Sequence, residues 1–98
     1  MATLKHALPA PPGLAGDPHA FEIARVWAAH GKQVVAMSVD GEMDPAGWGL
    51  MLVDLARHAA RAYAQVGRCP APVALDRIIE GLHMELEHPT DPGTGALQ

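Results

Sequence analysis

The chain has 98 residues, 49% of them apolar and 4% aromatic, and its seven Lys and Arg stand against eleven Asp and Glu for a net charge of -4. That length holds one domain, with a compact radius of gyration of about 13 Å, and excludes a multidomain machine. The acidic balance removes the basic excess that binds phosphate backbones, so nucleic acid is not an expected partner.

The charge is unevenly placed. Residues 1–79 carry seven acids (Asp17, Glu22, Asp40, Glu42, Asp44, Asp54, Asp76) and all seven bases (Lys5, Arg25, Lys32, Arg57, Arg61, Arg68, Arg77), and so sum to zero. Glu80, Glu85, Glu87 and Asp91 supply the whole excess. The longest stretch free of Lys, Arg, Asp and Glu, His6 to Gly16, contains Pro9, Pro11 and Pro12. It is far shorter than the ~20 apolar residues of a spanning helix, so no membrane partner is expected. The same prolines interrupt what would be the apolar core of a secretory signal, and a single cysteine, Cys69, has no internal disulfide partner. Both features lead to an expected cytoplasmic location.

In chain order, residues 1–16 read as an extended proline-rich arm, because each proline removes a backbone donor and pushes the preceding residue out of the helical region. Asp17-Pro18 has the pattern of a helix start, a side-chain acceptor at the cap followed by a ring whose fixed φ suits the first turn. A first helix is therefore predicted to about His30, stopped by Gly31, with Ile23, Val26, Trp27 and His30 along one stripe. Gln33 to Val39 reads as the one main strand, since Val34, Val35 and Val39 are β-branched and the run is short. A lone strand leaves unpaired backbone groups on both edges. Its expected partner is the arm around Thr3 to Leu8, or the same strand of a second copy related by a two-fold axis.

Asp44-Pro45 repeats the start signal, and a second helix is predicted from about Ala46 to Val66, ended by Gly67. Trp48, Met51, Leu52, Leu55, Ala59, Ala62, Tyr63 and Val66 fall on its apolar stripe, and Asp54, Arg57, His58, Arg61 and Gln65 line the opposite face. After a linker with two prolines, a third helix spans about Val73 to Glu87, with Leu75, Ile78, Ile79, Leu82 and Leu86 pointing inward. From Pro89 the chain has little to bury, and 89–98 reads as a flexible acidic tail. The expected domain is thus 17–88, α+β, with three helices and one main strand in the order α-β-α-α.

Few residues have the pattern of chemistry. Asp40, Glu42 and Asp44 alternate like the opening of a calcium loop, but the sixth position is Pro45 and the twelfth Met51, where glycine and a bidentate Glu are required. Gly41, Gly47 and Gly49 lie between strand and helix without the Lys-Ser/Thr ending of a phosphate loop. Glu80 and His83 have the Glu-x-x-His spacing of di-iron bundles, but one copy where such bundles need two. Cys69 beside Arg68 matches no nucleophile motif. No metal and no cofactor is expected. The second helix offers the candidate ligand face: Asp54 can orient His58, and Arg57 and Arg61, one turn apart, can clamp a carboxylate with paired donors.

The run Ala24-Arg25-Val26-Trp27, then Trp48-Gly49 followed by Leu52, Asp54, Arg57 and His58, and finally Pro89-Thr90, resembles the small bacterial family called domain of unknown function 5076. The resemblance covers about Pro9 to Thr90, and the Trp-Gly to Arg-His segment is its most specific part. It implies a stand-alone cytoplasmic domain and no particular reaction, cofactor or ligand. The expected function is that of a homodimeric interaction or accessory protein without catalytic activity. The alternative is a carboxylate-binding protein or enzyme that uses Asp54, Arg57, His58 and Arg61.

Overall fold

The computed structural model describes residues 7–39 and 41–90 and the backbone of 96–97. Residues 1–6 of the arm, Asp40 of the acidic loop and most of the tail lie outside the described residues, as does the suggested strand pairing around Thr3 to Leu8 over its first four positions.

The described elements run β-β-α-α rather than α-β-α-α. Strand β1 (Ala24–Ala29) pairs antiparallel with β2 (Lys32–Met37) in a register from Ala24 opposite Met37 to Ala29 opposite Lys32. The backbone N–H of Ser38 donates to the carbonyl of Ile23 at 2.8 Å and carries the ladder one step further. A two-residue strand, β3 (Ala96–Leu97), lies parallel to β2 beside Val34 and Val35.

Where a first helix was expected there is a turn followed by a strand. Asp17 does act as an acceptor: its Oδ1 takes the N–H of His19 at 2.9 Å and its carbonyl takes that of Ala20 at 3.1 Å. The turn does not propagate, because one turn fixes several dihedrals for a single bond and the next residues favour extended backbone. Gly31, expected to stop a helix, instead closes a hairpin. His30 and Gly31 both have positive φ, 54° and 73°, as the two central residues of a type I′ turn require. The main strand therefore finds an antiparallel partner within the chain, in the very segment predicted as a helix.

Helix α1 (Ala46–Gln65) and helix α2 (Ala71–Glu87) correspond to the second and third predicted helices. At the start of α1, Asp44 Oδ1 accepts the N–H of Ala46 at 2.9 Å. At its end Gly67, with φ of 75°, lets Arg68 N–H reach the Tyr63 carbonyl and its own N–H reach that of Ala64, at 3.0 and 3.1 Å. This paired closure is the Schellman arrangement. Helix α2 begins two residues before the predicted start, since Pro72 sits in the first turn, where a missing N–H leaves no bond unmade.

The two helices pack on each other through small side chains. Ala60 and Ala74 are the buried hydrophobic residues, at 2% and 5% exposure, with Ala56, Ala59, Leu75 and Ile78 half-buried around them. This corrects the predicted inward stripes: Leu52, Leu55, Tyr63 and Val66 on α1, and Ile79, Leu82 and Leu86 on α2, are exposed. Alanines win the contact because short side chains let helix axes approach closely, and the leucine rows on either side are left uncovered. The β-hairpin packs against neither helix. Both of its faces are apolar, with Val26, Val35 and Met37 on one and Trp27, Val34 and Ala36 on the other.

Candidate functional site

Helix periodicity places Asp54, His58 and Arg61 along one side of α1 at steps of four and three, and their side chains meet. His58 Nε2 lies 3.3 Å from Asp54 Oδ2, and Arg61 Nη2 lies 2.9 Å from His58 Nδ1. Guanidinium nitrogens only donate, so this contact makes Nδ1 the acceptor and leaves the ring proton on Nε2, facing the Asp54 carboxylate; the tautomer is inferred from the hydrogen-bond network. Asp54 thus contacts the His58 ring from one turn earlier on the helix. Arg57 is exposed on the same helix outside this chain of contacts. The carboxylate clamp is only half available, since Arg61 is already turned onto the imidazole.

The environment is open. The His58 and Asp54 side chains are 62% and 70% exposed, and every Asp, Glu, Lys, Arg and His among the described residues is exposed. Ion pairs in such surroundings are weak and screened by salt. The same holds for Glu80, which turns toward Arg77 at 2.7 Å rather than toward His83, and for Glu22, 3.0 Å from Arg25. Arg25 also lies over the Trp27 ring at 5.8 Å from its centroid. Cys69 is half-buried in the turn between the helices. No three potential metal ligands come together among the described residues.

A cleft of about 540 Å³ opens between the chain entering β1 and the N-terminal half of α1. Phe21, Ile23 and Ala24 form one wall, and Trp48, Leu50, Met51, Leu52 and Leu55 the other, with Asp54 and His58 among the lining residues. Arg57 and Arg61 do not line it. The predicted polar face is therefore divided: Asp54 and His58 border an apolar space, while the two arginines are not among its lining residues. Trp48, on the predicted apolar stripe, is half-buried on the wall of this cleft. The sequence pattern missed Phe21 and Ile23 as lining residues, because a helix across 17–30 would have placed them differently. It also missed Glu85, whose carboxylate accepts the backbone N–H of Thr90 at 2.7 Å and its hydroxyl at 3.1 Å, folding residues 88–90 back onto the end of α2. A Glu five residues before a Thr that follows proline is the signal for that contact.

No helix among the described residues is long and apolar enough to cross a membrane. A family model described as Domain of unknown function (DUF5076) matches residues 7–90. A solved structure from the photosynthetic bacterium Rhodopseudomonas palustrus, of a protein provisionally named a pyruvate dehydrogenase, is 39% identical, covers 99% of each chain and superposes with a TM-score of 0.73. No curated protein matches the chain.

Proposed function

The chain belongs to the family described as Domain of unknown function (DUF5076), and from that premise we propose that it works as a homodimeric interaction or accessory module. The observation that carries this reading is uncovered apolar surface. Phe21, just before β1, and Val26, Leu50, Leu55, Leu82 and Leu86 within the folded elements are all exposed. Surface of this extent on a small domain calls for association, which stabilises the folded form by mass action.

The unpaired strand that first suggested a dimer is paired within the chain, so the support now comes from side chains rather than from that strand's edges. The exposure of every charged group among the described residues argues in the same direction. Electrostatic catalysis depends on dipoles held in a water-excluded site, and the Asp54-His58-Arg61 chain stands in solvent. The dehydrogenase name belongs to the Rhodopseudomonas palustrus neighbour, and the arrangement of this chain's polar groups gives it no support here. Sedimentation equilibrium tests the reading: a dimer mass at micromolar concentration is expected, and a clean monomer would end it.

A further inference from the structure

We infer that the outer edge of β1 is the self-association surface, paired antiparallel with the same edge of a second copy across a two-fold axis at Val26. This inference rests on the dimeric reading above and specifies which surface carries it. Strand β2 has a strand on each side, whereas β1 ends the sheet among the described residues. Backbone N–H and C=O groups of an antiparallel strand point alternately to its two sides. The bond from the Ser38 N–H to the Ile23 carbonyl fixes the phase: Ile23, Arg25, Trp27 and Ala29 turn their groups toward β2, and Ala24, Val26 and Ala28 turn theirs outward. These three are exposed, and no helix packs against the strand. The outward residues include no proline and no charge, and the one-to-one register with β2 holds no bulge, so the devices that protect an edge from pairing are missing here.

The register selects a second copy as the occupant. With the axis at Val26, that residue faces the partner's Val26, Ala24 faces the partner's Ala28, and each such pair exchanges two backbone bonds. Arg25 then stands opposite the partner's Trp27 at the close, non-hydrogen-bonded position, where cross-strand side chains meet. The guanidinium already lies over its own Trp27 ring at 5.8 Å from the centroid, so both occupy one face of the sheet, and the partner's ring offers it a second aromatic surface. Sliding the pairing by two residues is worse in either direction. One slide sets Arg25 against the partner's Arg25; the other sets Ala24 against the partner's His30, a position whose φ of 54° leaves the strand conformation. An edge that complements itself in one register, with opposite-natured side chains in contact, meets its own copy under a two-fold axis.

The test replaces Cys69, the one cysteine of the chain, by Ser, and adds Val26→Cys, Ala24→Cys or Ala28→Cys singly. In the proposed ladder the two copies of position 26 have Cα atoms about 5.5 Å apart, within disulfide reach, and those of position 24 or 28 lie about 13 Å apart along the strand, out of reach. Under mild oxidation Val26→Cys is expected to give a covalent dimer on a non-reducing gel. Ala24→Cys and Ala28→Cys are expected to remain single chains alone and to crosslink when mixed. Sedimentation equilibrium of the Cys69→Ser chain runs beside them, and a monomer overturns both the inference and the reading beneath it. A dimer in which Val26→Cys does not crosslink, or in which Ala24→Cys alone crosslinks as fully, overturns the edge assignment and leaves self-association standing. Should Val26→Cys lose its far-ultraviolet signal, Ala28→Pro decides. The N–H it removes points outward, where an edge strand accepts proline, so the hairpin keeps its own bonds while the dissociation constant is expected to rise about tenfold or more. An unchanged constant overturns the assignment.

Discussion

The helical hairpin and the β-hairpin are each closed by local contacts, but by contacts of different kinds. Helices α1 and α2 meet through side chains, around Ala60 and Ala74. Strands β1 and β2 meet through backbone, with a tight His30-Gly31 turn setting the register and apolar residues left on both faces. A two-stranded hairpin of this kind is marginal in water unless its faces are covered. The difference teaches that satisfied hydrogen bonds and a completed core are separate achievements: the backbone partners of β2 are found within the chain, and much of the apolar covering is not.

The largest way to break this comparison is at the helical contact. Ala60 is 2% exposed, so Ala60→Leu forces added methyl groups between α1 and α2 and is expected to cost about 1 to 3 kcal/mol, read from the urea midpoint. Two probes sharpen the result. If the helical signal at 222 nm and the emission of Trp27 in a Trp48→Phe background shift together, the two hairpins form one cooperative unit despite their lack of direct packing. If only the helical signal shifts, they unfold separately.

The turn is the next point of attack. Gly31 has φ of 73° with open space where a Cβ would stand, so Gly31→Ala meets no atom and its cost is purely conformational. The left-handed region costs an L-residue roughly 1 to 2 kcal/mol, and Gly31→Asn, whose side chain tolerates that region, is expected to cost less. Equal losses for Ala and Asn would show that the turn is not held in the left-handed conformation.

That turn also marks where the sequence is hard to read. A glycine after a run with apolar residues at positions 23, 26 and 27 ends a helix as readily as it closes a hairpin, since both require positive φ. Val26 and Trp27 lie on one helical stripe or on opposite strand faces, and a run this short leaves the period ambiguous. The helices at 46–65 and 71–87 were legible because their patterns are long and end in Gly67 or begin at prolines. Which of their apolar residues touch was not legible, because a stripe is wider than the contact it makes, and small residues at its edge set the closest approach. At the candidate site, the order Asp54, His58, Arg61 was readable from spacing alone; the cleft was not, since Phe21 and Ile23 reach it only through the strand.

The smallest expected effect lies at that polar face and measures whether it is covered. His58 makes its contacts with Asp54 and Arg61 in an environment where its side chain is 62% exposed. Exposed i,i+4 pairs contribute about 0.3 to 0.5 kcal/mol, so His58→Ala is expected to change stability by about 0.5 kcal/mol or less. His58 nevertheless lines the cleft beside Leu55, where solvent keeps access to the ring and truncation costs little. A loss above about 1 kcal/mol in urea unfolding would place the imidazole under cover, and comparing concentrations would identify the cover. A loss that grows with protein concentration means that a second copy covers His58. A loss independent of concentration means that the chain's own wall of Phe21, Ile23 and Ala24 closes over the imidazole.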